Sequence, residues 1–232
     1  MILNNRMKMK VLLGMVLLMV NVTFGQTPEA VNDKGQSDAK SQEILKKVTK
    51  LYQGYKTINA TFTITTTAVN KKPLVSKGTV WIKANKFKLN YANQEIFCNG
   101  VTIWTYSPDD QEVTMEDYKK RDNSITPNEI FTVYQKGYKS KYEGPTTEGG
   151  KVNDVIRLVP KKKANYAYLK LEIDNSYKIN KVIQHYKNGT EVIIEMNKLT
   201  PNANIKDDFF QWSEVGHEGV AVVDLTKSKK KK

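Results

Sequence analysis

The stretch GTVWIKANKFKLNYANQEIFCNGVTIWTYSPDDQEVTM, residues 78–115, decides the fold of this chain. Apolar and polar residues alternate along it, and the alternation breaks at Ala84-Asn85, Ala92-Asn93, Asn99-Gly100 and Ser107-Pro108-Asp109-Asp110. Period-two alternation that is interrupted by turn residues predicts an antiparallel meander of about five strands. At Asn99-Gly100 we expect a type I′ hairpin turn, which needs positive φ at both central residues.

One face of this meander is apolar and is predicted to point into the core. It consists of Val80, Ile82, Phe87, Leu89, Ile96 and Ile103. The preceding segment, residues 58–69, alternates threonines with apolar residues such as Phe62, so it is a further strand with one dry face. Later strands are predicted at residues 152–159, 166–173, 178–186 and 190–199, with a weak one at 139–143 and a turn at Gly144-Pro145.

Two helices interrupt these strands. Asp38 or Ser41 caps the first, which runs to about Gln53 and stops at Gly54. Its apolar residues form one stripe at helical spacing, namely Ile44, Leu45, Val48, Leu51, Tyr52 and Tyr55. A capping box at residues 126–129 begins a second, shorter helix that ends near residue 137. The sequence therefore predicts a mostly β, α+β fold in which an antiparallel sheet curls around helices.

The two ends of the chain are unlike the part between them. Residues 1–25 combine three basic residues with an apolar run at 11–20 and are predicted to be a secretory signal peptide, cleaved near Gly25-Gln26. A stable N-terminal anchor helix is the alternative, although the apolar run is short for a membrane span. Residues 26–36 form a flexible lead-in, residues 37–225 one domain, and residues 226–232 a basic tail.

The net charge of +13 belongs mostly to these ends. Removing the three basic residues of the signal peptide and the five lysines of the tail leaves +5. The folded part is thus only mildly basic, and it has no nucleic-acid-binding signature, so nucleic acid is excluded as a partner. The tail is a solvated end or a contact for anionic lipid headgroups or an acidic partner.

The sequence gives little support for catalysis. The single cysteine, Cys98, is expected to be a small packing residue without a disulfide. His185 and His217 have no metal-ligand spacing, and Asp174, Glu191 and Glu195 are expected to be solvated carboxylates. We therefore predict no enzyme activity, no metal and no cofactor. Burial of apolar surface is the chemistry that remains.

The central stretch resembles one known family in the order and spacing of its motifs. The resembling residues are Gly78-x-Val80-Trp81-Ile82-Lys83, Lys86-Phe87-x-Leu89-x-Tyr91, Asn99-Gly100-x-x-Ile103-Trp104-x-Tyr106-x-Pro108 and Gln111-x-Val113. Together they are similar to the outer-membrane lipoprotein carrier protein (LolA) family. A looser likeness extends from residue 37 to residue 225. It includes Asp208-Phe209-Phe210-x-Trp212 and residues 219–224, where family members close with a Phe-rich strand and a Gly-Val-x-Val segment.

That resemblance implies a curved antiparallel half-barrel that is closed by a helical lid and carries lipoprotein acyl chains across the periplasm. The implied partners are acylated lipoproteins, an inner-membrane lipoprotein-releasing ABC transporter, and an outer-membrane receptor or the membrane itself. A monomer suffices for such a hand-over. We expect the lipid-binding residues to be Phe87, Leu89, Ile96, Val80, Ile82 and Phe62 on the sheet, with Ile44, Val48, Leu51 and Tyr52 on the first helix.

One departure from the family affects the mechanism. Many members carry an arginine after the lysine of the Trp-x-Lys motif, and that arginine bonds to the backbone of the lid. Here Ala84-Asn85 follows Lys83, so Lys83 or Lys86 is the candidate substitute. Two other functions remain open at this stage: a lipid- or lipoprotein-sensing module of the same fold, and, less favoured, an acyl hydrolase that uses Cys98 or a serine.

Overall fold

The computed structural model describes residues 37–118, 134 and 137–226. Outside this part lie the predicted signal peptide, the lead-in, all of the predicted second helix at 126–137 except residues 134 and 137, and tail residues 227–232. The described chain contains helix α1 (Ala39–Gln53), a 3-10 helix (Asp207–Phe210) and twelve strands. The strands are β1 (Ile58–Thr67), β2 (Leu74–Lys83), β3 (Lys86–Tyr91), β4 (Gln94–Cys98), β5 (Thr102–Ser107), β6 (Glu112–Asp117), β7 (Tyr138–Glu148), β8 (Lys151–Pro160), β9 (Tyr166–Asp174), β10 (Ile179–Tyr186), β11 (Glu191–Pro201) and β12 (Ala221–Asp224).

All twelve strands form one open, curved sheet in the order β12-β6-β5-β4-β3-β2-β1-β11-β10-β9-β8-β7. The predicted five-strand meander is confirmed as β2 to β6. A second meander, β7 to β11, joins it through β1, which pairs with β2 on one side and β11 on the other. The sheet is not antiparallel throughout, because β12 pairs parallel to β6. That pairing follows from the long path of the C-terminal segment, which the local pattern does not reveal.

The prediction of a type I′ turn at Asn99-Gly100 is wrong. Only Gly100 has positive φ there, and the loop also contains Val101. The Asn99 side chain organises it instead, since its Oδ1 accepts hydrogen bonds from the Val101 and Thr102 amides at 2.9 Å each. Positive φ at two successive residues occurs at Ala92-Asn93, between β3 and β4.

Two further expectations fail for local reasons. Gly144-Pro145 is not a turn, because β7 continues to Glu148 and absorbs Gly144, at φ +101°, as an irregularity in its pairing with β8. The Phe-rich segment is not a strand, because residues 207–210 form a 3-10 helix. Phe210 is buried there, so the segment packs onto the sheet through its side chains.

The two faces of the sheet carry separate apolar clusters. The inner cluster combines α1 with inward-facing residues of β1 to β5 and β7 to β11. The outer cluster is smaller and contains Phe97, Trp104, Tyr106, Val113 and Trp212. Because one cluster spans both halves of the sheet and α1, the sheet must curve around the helix, as predicted.

Candidate functional site

The ten residues predicted to bind lipid meet on the inner face. Nine of them are buried, and Leu51 is partly buried against the same cluster. On the sheet they are Phe62, Val80, Ile82, Phe87, Leu89 and Ile96, and on α1 they are Ile44, Val48, Leu51 and Tyr52. The alternation in β1 to β4 and the stripe on α1 bring them together, because both place every member on one side. Their contact with lipid stays a prediction.

The Phe62 ring lies closely over Gly78 within this surface. They are paired across β1 and β2, and a methyl group on Gly78 would lie 2.4 Å from Phe62 Cζ and 2.9 Å from the Asn90 carbonyl oxygen. Only glycine fits beneath the ring. Tyr91 stacks on Phe62 with ring centroids 6.1 Å apart. The two rings therefore cover the inner face where β3 ends.

A cavity of about 570 Å³ opens beside these rings. It lies where the β3–β4 hairpin ends and the longer β1–β2 hairpin extends beyond it. Phe62, Gly78 and Tyr91 form its apolar wall, whereas most of its other lining residues, such as Lys77, Asn90 and Glu95, are polar. The cavity thus reaches the inner cluster from the side, with Phe62 and Tyr91 belonging to both.

Helix α1 is tied to one half of the sheet by hydrogen bonds. Asp38 caps it, with Oδ1 accepting from the Ser41 amide at 2.8 Å and Oδ2 accepting from the Tyr142 amide at 2.7 Å. Ser41 Oγ donates to Ser140 Oγ at 2.8 Å. At the other end, the Ile179 amide donates to the Tyr52 hydroxyl at 3.1 Å. The bonds at Asp38 and Ser41 thus tie the start of the helix to β7, and the bond at Tyr52 ties its other end to the start of β10.

These bonds also set the ionisation of the groups involved. Partial burial opposes the charge on Asp38, but the donors from Ser41 and Tyr142 prevail and hold the pKa of its carboxyl below the usual value. Burial raises the pKa of the Tyr52 hydroxyl well above that of an ordinary tyrosine. At neutral pH the cap is therefore charged, as its two amide donors favour, and burial keeps the tyrosine neutral although the Ile179 amide opposes this.

Lys83 and Lys86 do not replace the family arginine at the helix. Lys83 Nζ donates to the Ile205 carbonyl at 2.8 Å and pairs with Asp207 at 2.8 Å, and Lys86 Nζ lies 2.7 Å from the same carboxylate. Both lysines hold the 3-10 helix of the C-terminal segment. The idea that either one secures the helical lid is therefore wrong, since each is engaged with Ile205 or Asp207.

Gln184 is a residue of this surface that the sequence analysis missed. It is 1% exposed on the inner face of β10, where its strand neighbours are Leu169 and Val192. In the described part of the chain, neither its Oε1 nor its Nε2 has a hydrogen-bond partner. A buried amide without partners is costly to the folded state. The signal that could have found it is a polar residue at an inward position of a strand.

The groups considered for catalysis are dispersed. Cys98 is fully buried in the inner cluster, as expected of a packing residue. His185 Nδ1 lies 3.2 Å from Glu191, and burial lowers the pKa of its imidazole although Glu191 opposes this. His217 packs edge-on against Tyr106. Within residues 37–118, 134 and 137–226, no group of three metal-ligating side chains is present.

The remaining acids have structural partners. Glu195 Oε1 lies 3.3 Å from Lys181 Nζ, and Asp174 Oδ1 accepts from the Ser176 and Lys178 amides in the turn between β9 and β10. Neither acid is near Cys98 in the sheet order, since three strands separate β4 from β11, which carries Glu195, and five separate β4 from β9, which ends at Asp174. The hydrolase alternative therefore has no constellation among these groups. In the described chain, no helix is long and apolar enough to span a membrane.

The sequence model of the family described as outer membrane lipoprotein carrier protein LolA matches residues 53–213. The chain belongs to the LolA family. The match covers β1 to β11 and the 3-10 helix, and so includes every sheet residue predicted to bind lipid. By its description this is a family of lipoprotein carrier proteins.

Individual relatives are distant. An uncharacterized protein of Methanocaldococcus jannaschii is 25% identical over 210 residues, which is 89% of this chain, and the chain spans 58% of that relative's length. A conserved protein from Thermus thermophilus superposes with a TM-score of 0.55 at 11% identity, covering 80% of this chain and 99% of that one. The LolA superfamily protein from Nitrosomonas europaea gives a TM-score of 0.43 at 12% identity, over 74% of this chain and 97% of that one. The Thermus likeness supports the fold alone.

Proposed function

We propose that this protein is a periplasmic carrier that holds the acyl chains of lipoproteins against the inner face of its sheet and moves them from the inner to the outer membrane. The observation that carries the proposal is the single apolar surface shared by α1 and both halves of the curved sheet in a member of the LolA family. The predicted signal peptide would bring the chain to the periplasm.

Such a surface suits acyl chains because they need no directional bonds. Each methylene group removed from water contributes about 0.8 kcal/mol, so about a dozen would contribute roughly 10 kcal/mol before the costs of ordering. Phe87, at 2% exposure, and Val48, at 0%, are covered in this structure. An acyl chain must therefore displace something that covers them.

The helix is the element that we expect to move. Its hydrogen bonds run to β7 and β10, so α1 can stay with that half of the sheet while its apolar stripe separates from β1 to β4. The side cavity at Phe62 and Tyr91 then offers a first contact for the incoming chain. Helix α1 would act as the lid, closed by burial of its stripe against β1 to β4, and its ties to β7 and β10 would set how freely it can lift.

The partners proposed for this cycle are acylated lipoproteins, an inner-membrane releasing transporter of the ABC class, and an acceptor at the outer membrane. A carrier must also release its cargo. Packing of α1 on the sheet would help, because the helix competes with the acyl chain for the same surface. We expect a monomer, since a soluble hand-over carrier needs no partner subunit.

Two adjacent isoleucines in β11 allow a matched test. Ile194 packs against the inner cluster, whereas Ile193 points to the opposite side of the sheet and pairs with Thr65 and Ile183. We expect wild-type protein to bind a synthetic triacylated lipopeptide, and Ile194→Asp to weaken binding by more than about tenfold because a carboxylate is costly beside an acyl chain. Ile193→Asp is expected to bind as wild type does.

Binding would be measured by native mass spectrometry and by displacement of a fluorescent fatty acid. Circular dichroism and thermal unfolding of each variant would establish that it folds. Failure of folded wild-type protein to take up the lipopeptide would contradict the proposal, and so would equal losses in the two variants.

A further inference from the structure

One end of the sheet carries three loops that are rich in lysine. They are the β1–β2 tip, residues 68–76, the β8–β9 loop, residues 161–165, and the β10–β11 turn, residues 187–190. We call them together the lysine rim. Its exposed lysines are Lys71, Lys72, Lys161, Lys162, Lys163 and Lys187, and the three loops contain no aspartate or glutamate. The folded part of the chain is only mildly basic, so this concentration of charge is local.

The three loops are neighbours in space. Val69 Cγ2 lies so close to Gly189 that a methyl group on that glycine would be 2.7 Å from it. The Lys187 amide donates to the Asn165 carbonyl at 3.3 Å, and the Lys161 amide donates to the Gly137 carbonyl at 2.8 Å. The contacts of Val69 with Gly189 and of Lys187 with Asn165 connect the three loops along one edge, so their positive charges lie side by side.

The β1–β2 tip adds exposed apolar side chains. Val69, Leu74 and Val75 are 57%, 71% and 61% exposed. They protrude because the pairing of β2 with β3 stops at Gly78 and Tyr91, so residues 74–77 have no β3 neighbour. Apolar side chains at the outermost point, with lysines beside them, are the arrangement that suits a bilayer surface, where apolar groups enter the headgroup region and lysines meet anionic lipid.

We propose that the lysine rim docks this protein on anionic phospholipid bilayers. Leu74, Val75 and Val69 would enter the interface, and the six lysines would contact the headgroups. The surface lies at the strand ends and is distinct from the inner face, so this inference does not depend on acyl-chain binding. If both hold, the carrier can present its cargo to a lipid surface directly.

The test is co-sedimentation of the purified, exported protein with vesicles. Phosphatidylcholine vesicles containing about 30% phosphatidylglycerol are compared with pure phosphatidylcholine vesicles. We expect binding to the anionic vesicles only, and its loss at about 0.5 M salt, where charges are screened within a few ångströms. Absence of binding to anionic vesicles would overturn the proposal, including the case in which the rim binds an acidic protein instead.

Charge-matched variants separate the rim from general basicity. Substituting Lys161, Lys162 and Lys163 by glutamate is expected to weaken binding at least about tenfold. The control replaces Lys46, Lys50 and Lys151 by glutamate; these are also exposed and lie on α1 and at the opposite end of the sheet. Its net charge is the same. Equal losses in the two triple variants would overturn the proposal, because they would show attraction without a defined surface.

A second pair tests the apolar tip. Leu74→Glu is compared with Val101→Glu, since Val101 is 68% exposed in the β4–β5 loop at the other end of the strands. Both positions are exposed, so both variants should fold. We expect only Leu74→Glu to reduce vesicle binding, by about tenfold. Unchanged binding of Leu74→Glu would overturn insertion of the tip.

Discussion

The two faces of the same sheet are covered in different ways. On the inner face, α1 covers a broad surface built mainly of aliphatic residues, with phenylalanine and tyrosine around it. On the outer face, the C-terminal segment covers a small aromatic cluster that Trp212 completes. Two lysines of the meander fix that segment through Asp207, whereas the helix is fixed from β7 and β10.

This difference separates a surface that can open from one that holds the sheet together. The outer face packs aromatic rings in defined pairs, such as Trp81 with Phe209 at 5.3 Å between centroids. The inner surface relies on non-directional apolar contact, which an acyl chain can replace. Our proposal therefore places acyl-chain binding on the inner face and stabilisation of the meander on the outer one.

The largest expected effect compares Phe87 with Phe97, which face opposite sides of neighbouring strands. Phe87→Ala should lower the free energy of unfolding by about 3–5 kcal/mol, because the ring is buried among β-strand residues and α1. Phe97→Ala should cost less than about 3 kcal/mol, since the C-terminal segment can adjust over the gap. Urea unfolding measures both. A larger loss at Phe97 than at Phe87 would contradict this prediction, and would mean that the C-terminal segment does not adjust over the gap.

The second prediction concerns the polar exception on the inner face. Gln184→Leu should raise the free energy of unfolding by about 1–3 kcal/mol, because it removes a buried amide that has no partner among the described residues. Gln53→Leu, at an exposed position near the end of α1, should change it by less than about 0.5 kcal/mol. Destabilisation by Gln184→Leu in urea unfolding would mean that the amide is satisfied in solution.

The third prediction loosens the helix. Tyr52→Phe removes the acceptor of the Ile179 amide and should cost about 1 kcal/mol. Because the helix is then less firmly tied, acyl uptake followed by stopped-flow fluorescence should become faster. Lys83→Ala is the comparison, since it loosens the C-terminal segment instead and should leave the uptake rate unchanged. The reverse pattern would place the moving element on the outer face.

The smallest effect is a local pH response on the outer face. Hydrogen bonds from Lys83 and Lys86 lower the pKa of Asp207 to about 2. The ionised carboxylate therefore favours the folded segment above about pH 4, and this contribution is lost as the pH falls towards 2. Tryptophan fluorescence, which senses Trp81 beside Phe209, should change over that window. In Asp207→Asn this change should be absent, and its persistence would assign it to another group.

Much of the fold could be predicted because its determinants are local. Alternation defined β2 to β6 and their inward residues, and Asp38 with Gly54 defined the ends of α1. The parallel pairing of β12, the contact of Trp212 with the meander and the role of Lys83 were missed, since each joins residues about a hundred positions apart. The conformation at Asn99-Gly100 was wrong because Asn99 bonds through its side chain.

The candidate site was predicted in composition more than in arrangement. The ten residues were named from two periodicities and a family likeness, and the structure brings them onto one surface. Three features of the site were missed: its covered state, the close approach of Phe62 to Gly78, and Gln184, which has no partner among the described residues. They depend on strand order and register, and the pattern of a single segment contains no information on either.

The most direct test of the account is photo-crosslinking with an acylated peptide that carries a photoreactive group within one acyl chain. Wild-type protein is irradiated with the bound probe, and the labelled residues are identified by peptide mass spectrometry. The account predicts labels on α1 and on inward residues of β1 to β4, such as Phe62 and Leu89. Labels concentrated on Phe97, Trp104 or Trp212, or no specific label at all, would contradict it.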